Sequence, residues 1–187
     1  MTYQSLFSTE GPLGSFSLRE INPHTDAELL HSWVSRPYAK FWLMQNYGVE
    51  DVKNFYLEFN RNGANQAYLG FYNESPNFLI EVYDPANDPL SEHYEIQAGD
   101  IGLHFLVAPS DKAIQGFTLA VIIAVMEFVF SHAGIQRIVV EPDERNEKLL
   151  ALNKYFNIET RKISMNMKTA QLAIFTREQY KSFIGLK

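Results

Sequence analysis

Residues 100–118 read DIGLHFLVAPSDKAIQGFT. The opening part, 100–107, is an apolar run of strand length, and Ala108, Pro109, Ser110 and Asp111 end it as a turn. Residues 117–133 then read FTLAVIIAVMEFVFSHA, apolar almost throughout. That run falls short of the roughly 20 residues a membrane span needs, and Glu127 and His132 interrupt it. It predicts a helix buried against a sheet. QRIVVE at 136–141 follows as a β-branched strand. Strand, helix and strand in this order form a crossover whose two strands run parallel.

Outward from the crossover, FSLREI at 16–21 alternates as a strand, and NPHTD at 22–26 opens a helix over 27–35. Residues 49–61, VEDVKNFYLEFNR, place Val52, Phe55, Tyr56 and Phe59 on one face of a second helix. Residues 66–72 and 77–83 predict strands joined through NESP as a hairpin. Residues 85–97 are polar, contain Pro85 and Pro89, and predict a loop. A helix over 146–156, a hairpin of 161–167 with 171–176, and a helix over 177–184 complete the chain. The order β-α-α-β-β-β-α-β-α-β-β-α belongs to an α/β or α+β layered domain, expected as one domain over 1–187.

Composition narrows the function classes. With 46% hydrophobic and 20% charged residues, the 187-residue chain has the balance of a folded domain. Its net charge of −6 opposes nucleic acid and anionic membranes as partners, and suits a cationic substrate. Aromatic residues make up 14%, as in a pocket lining or a dense core. Cysteine is absent, so disulfides, thiolate metal sites and a cysteine nucleophile are excluded. The opening residues show no basic segment leading into an apolar core, so the expectation is a cytoplasmic protein without a signal peptide.

Chemistry-bearing residues gather around the crossover. Backbone N–H groups at a helix start carry the positive end of the helix dipole and hold phosphate, and here Lys112, Gly116 and Thr118 add to them. Many such turns hold a glycine and bind nothing. Strand alternation puts Gly102, His104 and Leu106 on one face. A lone histidine there suits a hydrogen-bonded core role as well as catalysis. EPDERN at 141–146 suits a solvated turn and helix cap equally. Parallel crossover strands nevertheless allow His104 and Asp143 to share a cleft, where a carboxylate orients an imidazole.

Five segments carry a more specific pattern: HSWVSRPYAKFW at 31–42, NFLIEVYD at 77–84, GDIGLHFLVAP at 99–109, QGFT at 115–118 and RIVVEPDERNEKLLALNKYF at 137–156. Together they resemble the GNAT acyltransferase superfamily, and within it the branch that acylates hydroxylamines or side-chain amines in siderophore biosynthesis. The resemblance implies the GNAT fold, a mixed and mostly antiparallel twisted sheet flanked by helices. Acyl-CoA, from succinyl-CoA or acetyl-CoA, would lie in a V between two strands. Its pantetheine arm would follow the backbone at Leu106 and Val107. Its pyrophosphate would rest on Gln115, Gly116, Phe117 and Thr118, with Lys112 and Asn146 assisting. His104 and Asp143 match the reaction-centre pair of that branch. Trp33, Arg36, Trp42, Glu81 and Glu141 fall at substrate positions, and Arg145 helps shape the cleft. No metal is implied.

Two positions depart from the superfamily pattern. The pyrophosphate loop reads Ala113-Ile114-Gln115-Gly116-Phe117-Thr118, without the usual first basic or amide residue and last small residue. Asn153 stands where many members carry a tyrosine acid, with Tyr155 two positions on. Both shift weight onto backbone amides and onto His104 and Asp143. The acceptor implied is an N-hydroxydiamine such as N-hydroxycadaverine or N-hydroxyputrescine, supplied by a diamine N-hydroxylase, its product passing to a siderophore synthetase. N6-hydroxylysine is the alternative within the branch. Outside it stand acetylation of an ordinary amine and a non-catalytic acyl-CoA-binding module. Glu81 or Asp84 would meet a substrate ammonium, though both equally suit solvent-facing positions, and Arg36 would meet a succinyl carboxylate.

Overall fold

The computed structural model describes residues 5–61, 63–165 and 168–185. Its strands are β1 (Phe7–Gly11), β2 (Gly14–Glu20), β3 (Gln66–Tyr72), β4 (Ser75–Tyr83), β5 (Asp100–Val107), β6 (Arg137–Val140), β7 (Thr160–Met165) and β8 (Lys168–Thr176). The helices are α1 (Pro23–Val34), α2 (Val49–Phe59), α3 (Phe117–Ser131), α4 (Glu147–Tyr155) and α5 (Arg177–Gly185). The eight strands make a mixed sheet, flanked by helices. The chain divides into two compact units, Met1–Val82 with His104–Ala124 and Tyr83–Leu103 with Val125–Lys187.

In the first unit β1, β2, β3 and β4 pair antiparallel in sequence order. The β3–β4 turn is Asn73-Glu74, both left-handed at φ 45° and 66°, which matches the twist of a tight hairpin. Asn73 tolerates that conformation, and its Oδ1 accepts the Ser15 N–H at 3.0 Å. At the facing pair Gly70 and Phe78, the Phe78 ring lies over Gly70, where an added Cβ would meet it at 2.1 Å. Helix α1 starts at Pro23, with the Asn22 side chain accepting the His24 N–H. Beside it, Arg19 and Asp26 form a buried two-point ion pair at 2.7 and 2.9 Å. The apolar faces of α1 and α2 bury Leu30, Trp33, Val34, Val52 and Tyr56 against Leu69 and Leu79.

The second unit holds the parallel pair of the crossover. β5 pairs with β6 over Asp100–Gly102 against Arg137–Val139, and β6, β8 and β7 continue antiparallel. Its apolar centre contains Leu90, Val139, Ile163, Ala170 and Leu172. Arg177 donates to the carbonyls of Phe130, His132 and Ile135, satisfying acceptors at and beyond the end of α3.

Most elements lie where the periodicity puts them, and β3 and β5 match to the residue. The sequence reading lacks β1, because FSTEG has one large apolar residue and takes strand form only by pairing with β2. Helix α1 begins at Pro23 instead of residue 27, since the Asn22 cap starts it earlier. The 85–97 loop contains two 3-10 turns, Pro85–Asn87 and Pro89–His93, each begun by an aspartate accepting a backbone N–H. β8 begins at Lys168, ahead of the expected 171. The expectation for Met167 falls outside the described residues.

Candidate active site

His104 stands on β5, in the first unit. Its Nδ1 lies 3.0 Å from Oε2 of Glu81 on β4. Tyr56 of α2 donates its hydroxyl to the other oxygen, Oε1, at 3.0 Å. The Trp42 indole N–H in turn donates to the Tyr56 oxygen at 3.3 Å. The Trp42 ring also stands edge-on to the imidazole, with centroids 6.2 Å apart. Glu81 is 4% exposed and Tyr56 fully buried, while the His104 side chain remains 41% exposed. Burial first, and then the Glu81 charge, hold the Tyr56 hydroxyl well above its ordinary pKa, so it is a fixed neutral donor.

The solvent-facing option for Glu81 is thereby overturned. A carboxylate can be buried here because the hydroxyl and the imidazole satisfy its two oxygens. Asp84 accepts from Ala86 N–H and the Asn87 amide and organises the next turn. Trp33, a candidate substrate contact, packs within the core at 5% exposure. Arg36 is exposed, and its Nε donates to the Ser32 carbonyl at 2.9 Å.

Further along β5, the Leu106 side chain packs on the core, and the Val107 carbonyl accepts the Tyr38 hydroxyl at 3.1 Å. Burial, partly offset by Arg36, raises the Tyr38 hydroxyl to a pKa of about 12, so it stays a donor at neutral pH. Sequence reasoning missed both Tyr38 and Tyr56. Tyr56 was visible only as an apolar helix position, and no local signal marks Tyr38 for the end of a strand 69 residues away.

The turn before α3 is exposed over residues 111–116. Ser110 and Lys112 bond to one another, through Ser110 Oγ to the Lys112 carbonyl and Lys112 N–H to Ser110 Oγ. Gly116 has φ 76°, and open space faces the position of a Cβ. Its glycine therefore serves the left-handed backbone. The Phe117 N–H is spent on the Ile114 carbonyl at 3.2 Å. The Phe117 ring packs against Phe16 and Tyr72, fixing the first turn of α3.

In the second unit, Asp143 is 6% exposed and takes a two-point contact from Arg145, Nε to Oδ1 at 2.8 Å and a terminal nitrogen to Oδ2 at 2.7 Å. The Arg145 hydrogen bonds outweigh burial and hold the Asp143 carboxyl at about 2. Asp143 is thus an anion throughout the neutral range. Because 3.8 is its ordinary value, this pairing stabilises the fold above pH 3.8 and is lost as pH falls through about 2. Arg145→Ala is expected to move acid unfolding to higher pH, read by circular dichroism between pH 5 and 2. Glu141 is buried, accepting from Tyr83 Oη at 2.9 Å and Lys168 Nζ at 3.1 Å. The Asn146 N–H bonds to the Asp143 carbonyl, and its side chain makes no cap bond to α4. Asn153 is buried and Tyr155 is 57% exposed.

No helix among the described residues is long and apolar enough to cross a membrane. Among the same residues no cluster of histidine and acidic side chains suits a metal ion.

Among characterised proteins, the chain is 29% identical over 136 residues to the N(6)-hydroxylysine O-acetyltransferase of Escherichia coli, covering 71% of this chain and 42% of that one. It is 26% identical over 137 residues to the lysine N-acyltransferase MbtK of a Mycobacterium species, covering 70% and 54%. It thus spans about half the length of these relatives. The N-hydroxyputrescine acetyltransferase of Acinetobacter baumannii is 23% identical, covering 89% and 80%. Among solved structures, an uncharacterised protein of Bacillus halodurans superposes with a TM-score of 0.86 at 23% identity, covering 94% and 92%. The aminoglycoside acetyltransferase AAC(6')-Ib in complex with coenzyme A gives 0.77 at 19% identity, covering 89% and 98%. Both likenesses are of fold. The family model described as "Acetyltransferase (GNAT) domain" matches residues 22–164, and the chain belongs to that family.

Proposed function

We propose that the protein is an acyl-CoA-dependent N-acyltransferase that converts the hydroxylamine of an N-hydroxydiamine to a hydroxamate for siderophore assembly. The observation that carries this reading is His104, half-exposed on β5 and held at Nδ1 by the buried Glu81. The names of the relatives, two of which act on hydroxylated amines, support the acceptor class.

The thioester donor fits the end of β5 and the turn that follows. Leu106 and Val107 offer strand backbone to the pantetheine arm, which would share the Val107 carbonyl with Tyr38. The exposed 111–116 turn and the start of α3 suit a diphosphate through Gln115, Gly116 and Thr118 amides, with Lys112 adding charge. The acceptor nitrogen attacks the thioester carbonyl, the C–S bond breaks, and CoA leaves as the thiol. A hydroxylamine nitrogen is largely neutral at pH 7, so His104 receives its proton as the N–C bond forms. Positioning supplies much of the remaining rate. Asp143, ionised and clasped by Arg145, acts as a fixed negative charge and not as a proton carrier. With Glu81 committed to His104, the substrate ammonium finds its countercharge elsewhere. The supplier of the acceptor would be an N-hydroxylase and the consumer of the product a siderophore synthetase.

Thiol release from succinyl-CoA and acetyl-CoA tests the proposal, with N-hydroxycadaverine, N-hydroxyputrescine, N6-hydroxylysine and cadaverine as acceptors. The expected result is turnover with a hydroxydiamine at least tenfold above cadaverine. The 29% relative favours N6-hydroxylysine as the second reading, and fastest turnover of that acceptor would establish it. Turnover of cadaverine alone would replace both with plain amine acetylation.

A further inference from the structure

We infer that the hydrogen bonds running from Trp42 through Tyr56 and from His104 converge on the Glu81 carboxylate, and that this fixed acceptor sets the tautomer of His104 and so makes Nε2 its proton-accepting nitrogen. The inference rests on His104 being the base proposed above. The directions follow from which groups can only donate and which can only accept. An indole nitrogen can only donate, so the Tyr56 oxygen accepts from Trp42 and its own proton points at Glu81 Oε1. A carboxylate only accepts, so the Nδ1 facing Oε2 carries the imidazole proton. The neutral ring is then the Nδ1–H form, in which Nε2 holds the lone pair. All four residues belong to the first unit, and Tyr56 and Glu81 are buried, so water does not randomise these bonds. Glu81, Tyr56 and Trp42 are positioning residues on this account.

This convergence predicts a specific epistasis. In Glu81→Gln the Tyr56 proton still demands an acceptor, so the amide oxygen turns to Tyr56 and the NH2 group to His104. An amide NH2 can only donate, which forces the lone pair onto Nδ1 and the proton onto Nε2. The base is then reversed without being removed. Adding Tyr56→Phe deletes the demand, lets the amide turn over, and returns an acceptor to Nδ1. A merely structural role would make the double variant worse than the single.

The experiment is 15N NMR of histidine-labelled protein at a pH where the ring is neutral, with His104 assigned by loss of its signals in His104→Ala. Steady-state kinetics run beside it, with the fastest acceptor of the panel. Wild type should show the Nδ1–H pattern and Glu81→Gln the Nε2–H pattern. Glu81→Gln/Tyr56→Phe should return to Nδ1–H. Glu81→Gln should lose about 10²–10⁴-fold in kcat with little change in acyl-CoA KM, and the double variant should regain tenfold or more. An Nε2–H pattern in wild type overturns the inference, as does a double variant no better than Glu81→Gln. The wild-type spectrum is decisive by itself should a variant fail to fold. Wild-type turnover in His104→Ala would instead sink the base assignment, whereas the tautomer pattern does not depend on turnover.

Discussion

His104→Ala is expected to lower kcat/KM for the proposed hydroxylamine acceptor by about 10²–10⁴-fold, the usual worth of a positioned general base. The loss falls on kcat, because the groups proposed to hold the donor are the strand backbone and the turn before α3, which the substitution leaves in place. Folding should survive. The His104 side chain is 41% exposed, and truncating it opens no sealed cavity. It does leave the Glu81 carboxylate with Tyr56 as its remaining described partner in this network, so a modest fall in melting temperature is expected. Thiol release is a clean assay, since the chain has no cysteine to react with the reporter. A loss below tenfold would mean that the neutral acceptor sheds its proton without a base, and that placement of the two substrates carries the rate.

Gly70→Ala destabilises the first unit by about 3 kcal/mol, at the upper end of overpacking penalties. The new methyl would lie 2.1–2.3 Å from three ring carbons of Phe78, which is fully buried. Phe78 cannot move outward, and the pairing of β3 with β4 fixes the separation of the two backbones. The penalty thus comes from the facing ring. Gly70→Ala/Phe78→Leu should recover most of the loss, because the shorter side chain vacates the space above residue 70. Urea unfolding of both variants measures this. Equal stability of Gly70→Ala and wild type would show that the ring yields freely, and that the glycine is there for another reason.

The sequence made the central crossover legible because its signals are local. The apolar run of β5, the break at Pro109 and the long apolar α3 each depend on residues close in the chain. His104 was legible as a polar residue misplaced in an apolar strand, and Asp143 through the E-P-D-x-R-N run. Strand β1 was not legible, since FSTEG carries no pattern of its own and borrows its form from β2. Glu81 was noticed and given the wrong surroundings. Alternation assigns a strand residue to a face, but whether that face meets water or an imidazole depends on the helix above and the strand beside it.

By itself, then, the sequence determined the element order from β2 onward, the crossover, the glycine turn before α3 and the histidine in the middle of β5. These follow from periodicity and backbone preference, which act over a few residues. Only the tertiary structure decided that Glu81 faces His104, that Tyr56 and Trp42 complete the network behind it, and that Tyr38 closes on Val107. Those partners lie 23, 25, 14 and 69 positions apart. Contacts at such separations are fixed by which strands and helices pack together, and that packing is a property of the whole burial pattern and of no single segment.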